Sequence, residues 1–321
     1  MKRLLTGAAI AAAIATAGPL AAETRWDMAT PYPDAEFHTQ NIRQFVEEIA
    51  AATGGDLQIT VHSGQSLFKH PEIKRSVQNQ LVPMGEVLMA NLFNEDPIFG
   101  ADNLPFLATT YEDAERLWAA QRPLVESKLA DDGIRLLYAV PWPGQGFYAS
   151  EEIQSVADLE GKRFRTYNAT TARMAELFGA SPTTVEAVEI PQAFSTGIVD
   201  AMVTSAATGV RTKAWDFTEH FYDLQAWLPK NMIIVNENAF SALPEAQQTA
   251  ILEAAAAAEA RGWELSQSVS GSSVEELGSN LTVHQPSDAL AKGLAEVGEQ
   301  MAGEWAESAG PDGQAILDAL Q

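Results

Sequence analysis

Leu57, Ile59 and Val61 alternate with polar neighbours, the period of a half-buried strand, while Ile42, Phe45, Val46, Ile49 and Ala50 recur at helical spacing up to the Gly54-Gly55 stop. This switch between periods repeats along the chain. Thr24 to Met28 reads as a strand, Pro71 to Gln80 as a helix, and Glu86 to Met89 as a strand. Thr110 followed by Asp113 has the spacing of a helix start. Further strands are expected over Gly133 to Val140, Lys162 to Thr166 and Ala201 to Thr204, with a helix over Thr170 to Phe178 that Gly179 ends. Such alternation predicts α/β architecture with largely parallel sheets covered by helices.

From Glu245 to about Glu276 helix formers dominate, with Pro244 at the entry and Gly262 and Gly271 as weak points. A helix of that length would run about 45 Å, more than one lobe of about 120 residues needs, so it is expected to bridge two lobes. The lobes are therefore interleaved in sequence.

The first residues add an address. Lys2 and Arg3 precede an apolar stretch from about Leu4 to Leu20, and Ala21 and Ala22 stand before Glu23, the pattern of a secretory signal peptide over residues 1–22. The chain is expected to be exported to the periplasm. Its 321 residues suffice for about two domains. With 43 acidic against 20 basic residues the net charge is -23, which argues against nucleic acid or an anionic membrane as a partner. The absence of cysteine excludes disulfides, thiolate zinc sites and cysteine nucleophiles.

Enzyme signatures are missing: there is no H-E-x-x-H, G-x-S-x-G, Walker A or G-x-G-x-x-G, and Gly144-Gln145-Gly146 alone is too short to count. His38, His62, His70, His220 and His284 are scattered singly and read as surface or structural histidines. The informative stretch is Asp158 to Tyr167. A strand over Lys162 to Thr166 places Phe164 on one face and Arg163 and Arg165 on the other, with Arg165 at the carboxyl end where open α/β sheets bind ligands. A helix starting around Asn168 to Thr170 would aim its dipole at the same space. Thr204 and Ser205 end another strand, either as ligand-binding hydroxyls or as an ordinary helix cap.

Taken together, Gly55 to Val61, Gly161-Lys-Arg-Phe-Arg165, Leu177 to Thr183 and Gln192 to Asp200 resemble the solute-binding proteins of tripartite ATP-independent periplasmic (TRAP) transporters, the DctP-like family, over nearly all of the exported chain. The resemblance implies a two-lobed periplasmic binding protein fold, with residues 23–142 and 231–270 as lobe I and 143–230 and 271–321 as lobe II. It implies a small carboxylate ligand, no cofactor, delivery to membrane-embedded permease subunits, a monomer, and no enzyme activity. The family's ligand-gripping arginine falls on Arg165. A planar guanidinium matches both carboxylate oxygens, which lysine does not.

Departures from the family pattern bear on the ligand. Thr204 or Ser205 stands where many members have asparagine. Gln145 replaces the second basic residue of sialic-acid binders, and the Glu-Trp variant of metal-bridged keto acids is missing, so no cation is expected. These departures favour a short hydroxy or keto acid. Tyr32, Trp142, Phe147, Tyr167 and Trp215 are candidates for the cleft walls or for plain core, Lys74 and Arg75 for a second positive group or solvated surface, and Asn231 for a ligand hydroxyl. The alternatives are a binding protein of an ATP-driven transporter and a secreted α/β hydrolase or lyase.

Overall fold

The computed structural model describes residues 23–320, and the expected signal peptide lies outside them. The chain enters lobe I through strand β1 (Thr24–Ala29), helix α1 (Phe37–Ala52), β2 (Leu57–His62), α2 (Ile73–Gln78), β3 (Met84–Leu88), α3 (Tyr111–Asp131) and β4 (Ile134–Pro141). It crosses at 142–144 into lobe II, built from β5 (Gln145–Ala149), β6 (Arg163–Thr166), α4 (Ala169–Leu177), β7 (Ser181–Thr184), α5 (Ile190–Ser195), β8 (Ala201–Ser205), α6 (Ala206–Thr212) and β9 (His220–Tyr222). Residues 223–229 carry it back to β10 (Lys230–Asn236), followed by α7 (Glu237–Ser241), α8 (Glu245–Gly278), β11 (Thr282–His284) and α9 (Asp288–Leu320).

Two sheets result, ordered β2-β1-β3-β10-β4 and β11-β9-β5-β8-β6-β7. They are mixed rather than largely parallel. β10 runs antiparallel to β3 and β4, and β5 runs antiparallel to β8 and β9. Each of these two strands enters its sheet directly from the other lobe rather than through a covering helix, and a βαβ crossover is what makes neighbours parallel. Alternation still sorts the side chains. On β10, Ile233 packs with Phe45 and Ile49 of α1, and Ile234 packs on the opposite face with Leu117 and Leu129 of α3. On β5, Phe147 joins Phe164 and Phe178 while Tyr148 joins Met202 and Phe221. Phe147 is thus core.

Thr110 caps α3 as its spacing predicts, its hydroxyl accepting from the Asp113 N–H at 3.1 Å. The long helix is present, and at 34 residues it spans roughly 50 Å. Ile251, Ala254, Ala255 and Ala258 lie on one helical face and pack in lobe I, whereas Leu277 packs in lobe II. Gly262 is a contact rather than a weak point. A Cβ there would stand 2.3 Å from Val140 Cγ2, so only glycine lets α8 lie this close to β4. The family resemblance assigns 271–321 to lobe II. Leu290, Leu294 and Met301 do pack there, but Trp305 and Ile316 join the lobe I cluster and the Trp305 indole donates to the Pro97 carbonyl at 2.7 Å. Helical periodicity shows which face is buried but not which neighbour covers it.

Candidate functional site

Arg165 stands at the end of β6, between β7 and β8. Arg163, at the start of that strand, is exposed and paired with Asp200 at 3.1 Å, whereas Arg165 on the same face and Phe164 on the opposite one are both buried. Arg165 is only 3 % exposed. Its Nε donates to the Val185 carbonyl at 3.0 Å and its Nη1 to the Val203 carbonyl at 3.1 Å, so the flanking strands fix the plane of the guanidinium. The Tyr167 ring lies beneath it at 5.1 Å. Among the described residues no carboxylate is within ion-pairing distance of this group. Burial lowers its pKa to about 10, because the cost of desolvating the charged form outweighs the attraction of Tyr167, Glu186 and Tyr32.

A small hollow opens beside Arg165 between the lobes. Tyr32 reaches it from lobe I, Trp142 from the outgoing crossing, and Gln145, Tyr167, Thr204 and Ser205 from lobe II. Seven of the ten candidate positions thus meet at one place. Ser205 caps α6, its hydroxyl accepting from the Thr208 N–H at 3.2 Å, and the residue also borders the hollow. The Gln145 amide donates to the Pro143 carbonyl at 2.9 Å, which leaves its oxygen near the Tyr167 hydroxyl at 3.5 Å. Tyr167 accepts from the Trp227 indole at 3.0 Å and donates to Asn103 of lobe I at 3.3 Å.

Three candidates lie elsewhere. Asn231 stands one layer behind the wall and touches the lining residues rather than the space. Its Oδ1 accepts from the Trp142 indole at 3.0 Å and from the Tyr32 hydroxyl at 3.3 Å, and its Nδ2 donates to Glu86 at 2.6 Å. Since an indole only donates, the amide orientation is determined, and Glu86 is the acceptor that holds it. Thr30 donates to the other Glu86 oxygen. Lys74 is occupied on lobe I by Glu95 and by Asp132 at 2.5 Å, and Trp215 packs against the Tyr148 cluster. A nearby counter-ion or apolar neighbour explains each, and neither partner is visible in sequence spacing. The helix-dipole support expected at Arg165 is also displaced: Ala169 and Thr170 border a separate hollow with Phe93 and Trp305.

The structure adds residues that patterning misses, chiefly Glu186 and His70. Both line the hollow, and His70 Nδ1 lies 3.2 Å from Glu186 Oε2, joining lobe I to lobe II. Glu186 was within reach of the rule that finds Arg165, because it stands two residues past the end of β7. Ser181-Pro182-Thr183-Thr184 does not read as a strand, and it forms one only because β7 is an edge, where proline is tolerated. His70 reads as structural because only the fold brings its loop to the second lobe. Among the described residues no cluster of three or more metal-ligating side chains occurs, and no helix is long and apolar enough to cross a membrane.

Comparison with known proteins agrees with this geometry. Residues 28–307 match the model of the bacterial extracellular solute-binding protein family 7, DctP. Among solved structures, DctP7 of Bordetella pertussis, an extracytoplasmic solute receptor binding pyroglutamic acid, is 47% identical with a TM-score of 0.91, covering 92% of this chain and 99% of its own. A marine metagenome TRAP solute-binding protein specific for pyroglutamate is 41% identical with a TM-score of 0.91, covering 93% and 99%. The ectoine-binding periplasmic protein TeaA of Halomonas elongata is 24% identical over 99% of this chain and 95% of its own. A two-lobed fold, an interlobe hollow and a buried guanidinium accompany this match over most of the chain, which therefore belongs to the DctP family of extracytoplasmic solute-binding proteins that serve TRAP transporters and are not enzymes.

Proposed function

We propose that this protein is the periplasmic receptor for pyroglutamate, a five-membered lactam with one carboxylate, and passes it to a TRAP permease. The observation that carries this is the buried Arg165 guanidinium, which faces the interlobe hollow with no carboxylate within ion-pairing distance among the described residues. An incoming carboxylate supplies the missing counter-charge through paired N–H donors, and the rigid Val185 and Val203 carbonyl contacts mean little side-chain order has to be created on binding. Tyr32, Trp142 and Tyr167 give flat apolar walls suited to a small ring, while Thr204, Ser205 and Gln145 orient its polar edge. Asn231 acts at one remove by holding Trp142 and Tyr32 in place. Lys74 and Trp215 have no part in binding. Residues 1–22 serve as the export signal and are removed.

Relatives that share 41–47% of their residues with this chain bind pyroglutamate, which supports the lactam over the short hydroxy or keto acids that the sequence pattern favours. Isothermal titration of residues 23–321 tests the proposal. Pyroglutamate should bind with saturable one-to-one heat, more tightly than lactate, pyruvate or glucuronate. Arg165→Ala should weaken binding by about 2–5 kcal/mol, roughly 30-fold or more. Absence of binding by the native protein, or undiminished binding by the variant, would overturn it.

A further inference from the structure

The cavity contains a second charged group that carboxylate capture does not use. Glu186 lines it together with Arg165, and its Oε2 takes a hydrogen bond from His70. The protonation of that histidine follows from its other nitrogen. The Leu88 backbone N–H donates to His70 Nε2 at 3.3 Å, so Nε2 carries the lone pair and Nδ1 carries the proton given to Glu186. Burial pushes the Glu186 carboxyl up, but its hydrogen bond and electrostatic attraction to His70, with smaller contributions from Arg165 and Lys69, pull it further down, and it remains a carboxylate. Among the described residues its Oε1 has no partner. An oriented acceptor, with no donor capacity, therefore borders the same small space as an oriented donor.

We propose that Glu186 is the specificity residue of this receptor, accepting the ring N–H of the bound acid while Arg165 takes its carboxylate. The assignment rests on the pyroglutamate reading and extends it to a rule for the ligand class: cyclic acids bearing an N–H beside the carboxyl-substituted carbon. A charge-assisted N–H···O⁻ bond is stronger than a neutral one, and a ring oxygen in the same place would set its lone pairs against those of the carboxylate. The Glu186 side chain is about a quarter exposed in the ligand-free cavity and is covered once a ligand fills it, and loss of a hydrogen bond to a group so covered discriminates far more than loss of a methylene. Hydroxy and keto acids of the same size present an acceptor, or a freely turning hydroxyl, where Glu186 needs a fixed donor.

The test compares pyroglutamate with 5-oxotetrahydrofuran-2-carboxylate, its lactone analogue with oxygen in place of N–H, by titration calorimetry on the native protein and on Glu186→Gln. The native protein should prefer the lactam by at least about 100-fold. In Glu186→Gln the His70 proton claims the amide oxygen and leaves an NH₂ toward the cavity, so the ratio should fall at least tenfold while unfolding of the ligand-free protein stays cooperative. Arg165→Ala should weaken both ligands and keep the preference. Native protein that binds lactam and lactone alike, or a Glu186→Gln ratio equal to the native one, would overturn the assignment and leave the receptor for pyroglutamate standing. Native protein that binds neither overturns the receptor itself. The native ratio decides the matter even if the variant does not fold.

Discussion

At Glu86 a carboxyl is fully buried behind the binding cavity, and burial, its dominant influence, raises its pKa to about 7 despite hydrogen bonds from Thr30 and Asn231. The raised value has a definite sign in stability. Folded protein holds this proton up to about pH 7 while the unfolded chain releases it near 4.5, so the contribution of Glu86 is full below 4.5 and is lost as pH rises through 7. Glu86→Gln removes the ionisation and keeps an acceptor for Asn231. Relative to the native protein, the variant should gain stability between pH 5 and pH 8, by as much as about 3 kcal/mol. Denaturant unfolding at both pH values measures this, and a constant difference would show that Glu86 is not protonated in the folded protein. The residue also illustrates a limit of sequence patterning. Glu86 opens an expected strand and Asn231 stands at the start of β10, and their meeting at 2.6 Å depends on β3 and β10 being sheet neighbours, more than a hundred residues apart in the chain.

At the scale of elements, α8 is a strut whose two glycines have opposite meanings. Gly262 is wedged against Val140 and Asn41, whereas a Cβ at Gly271 would meet nothing within 4 Å. Gly262→Ala should therefore destabilise by about 1–3 kcal/mol through overpacking. Gly271→Ala should stabilise by about 0.5–1 kcal/mol, since alanine loses less backbone freedom in a helix. Thermal unfolding of the two variants checks both signs, and equal effects would refute the distinction. The helix itself was legible, because thirty-odd residues of strong helix formers with a proline entry have no other plausible state. The difference between its glycines was not, because it depends on what packs alongside.

At the scale of the molecule, the two lobes are held together across the cleft by paired groups. Arg211 of α6 donates to Glu36 of lobe I at 2.8 Å, with both side chains largely buried, alongside the bonds of His70 to Glu186 and Tyr167 to Asn103. These contacts require the lobes to be close, so they favour the closed arrangement in proportion to their strength. Removing one member of a buried pair leaves the other charge without compensation. Arg211→Gln should therefore shift the protein toward an open arrangement and weaken pyroglutamate binding about 10- to 100-fold, without touching the ligand. Small-angle scattering should report a larger radius of gyration for the ligand-free variant, returning toward the native value at saturating ligand. An unchanged affinity would show that the pair does not contribute to closure.

What the chain's own order of residues determined was local: period-two and period-3.6 runs, the Thr110 cap, the long helix, the absence of catalytic motifs, and Arg165 at the carboxyl end of a strand. Each depends on neighbours within about a dozen positions, which is the range over which backbone geometry makes pattern readable. Only the tertiary structure decided that β5 and β10 run against their neighbours, that Lys74 is already paired, that Asn231 stands behind the wall, and that Glu186 faces Arg165 across one cavity. Those facts are pairings between segments far apart in the chain, and burial and charge at such meetings are properties of the packed molecule.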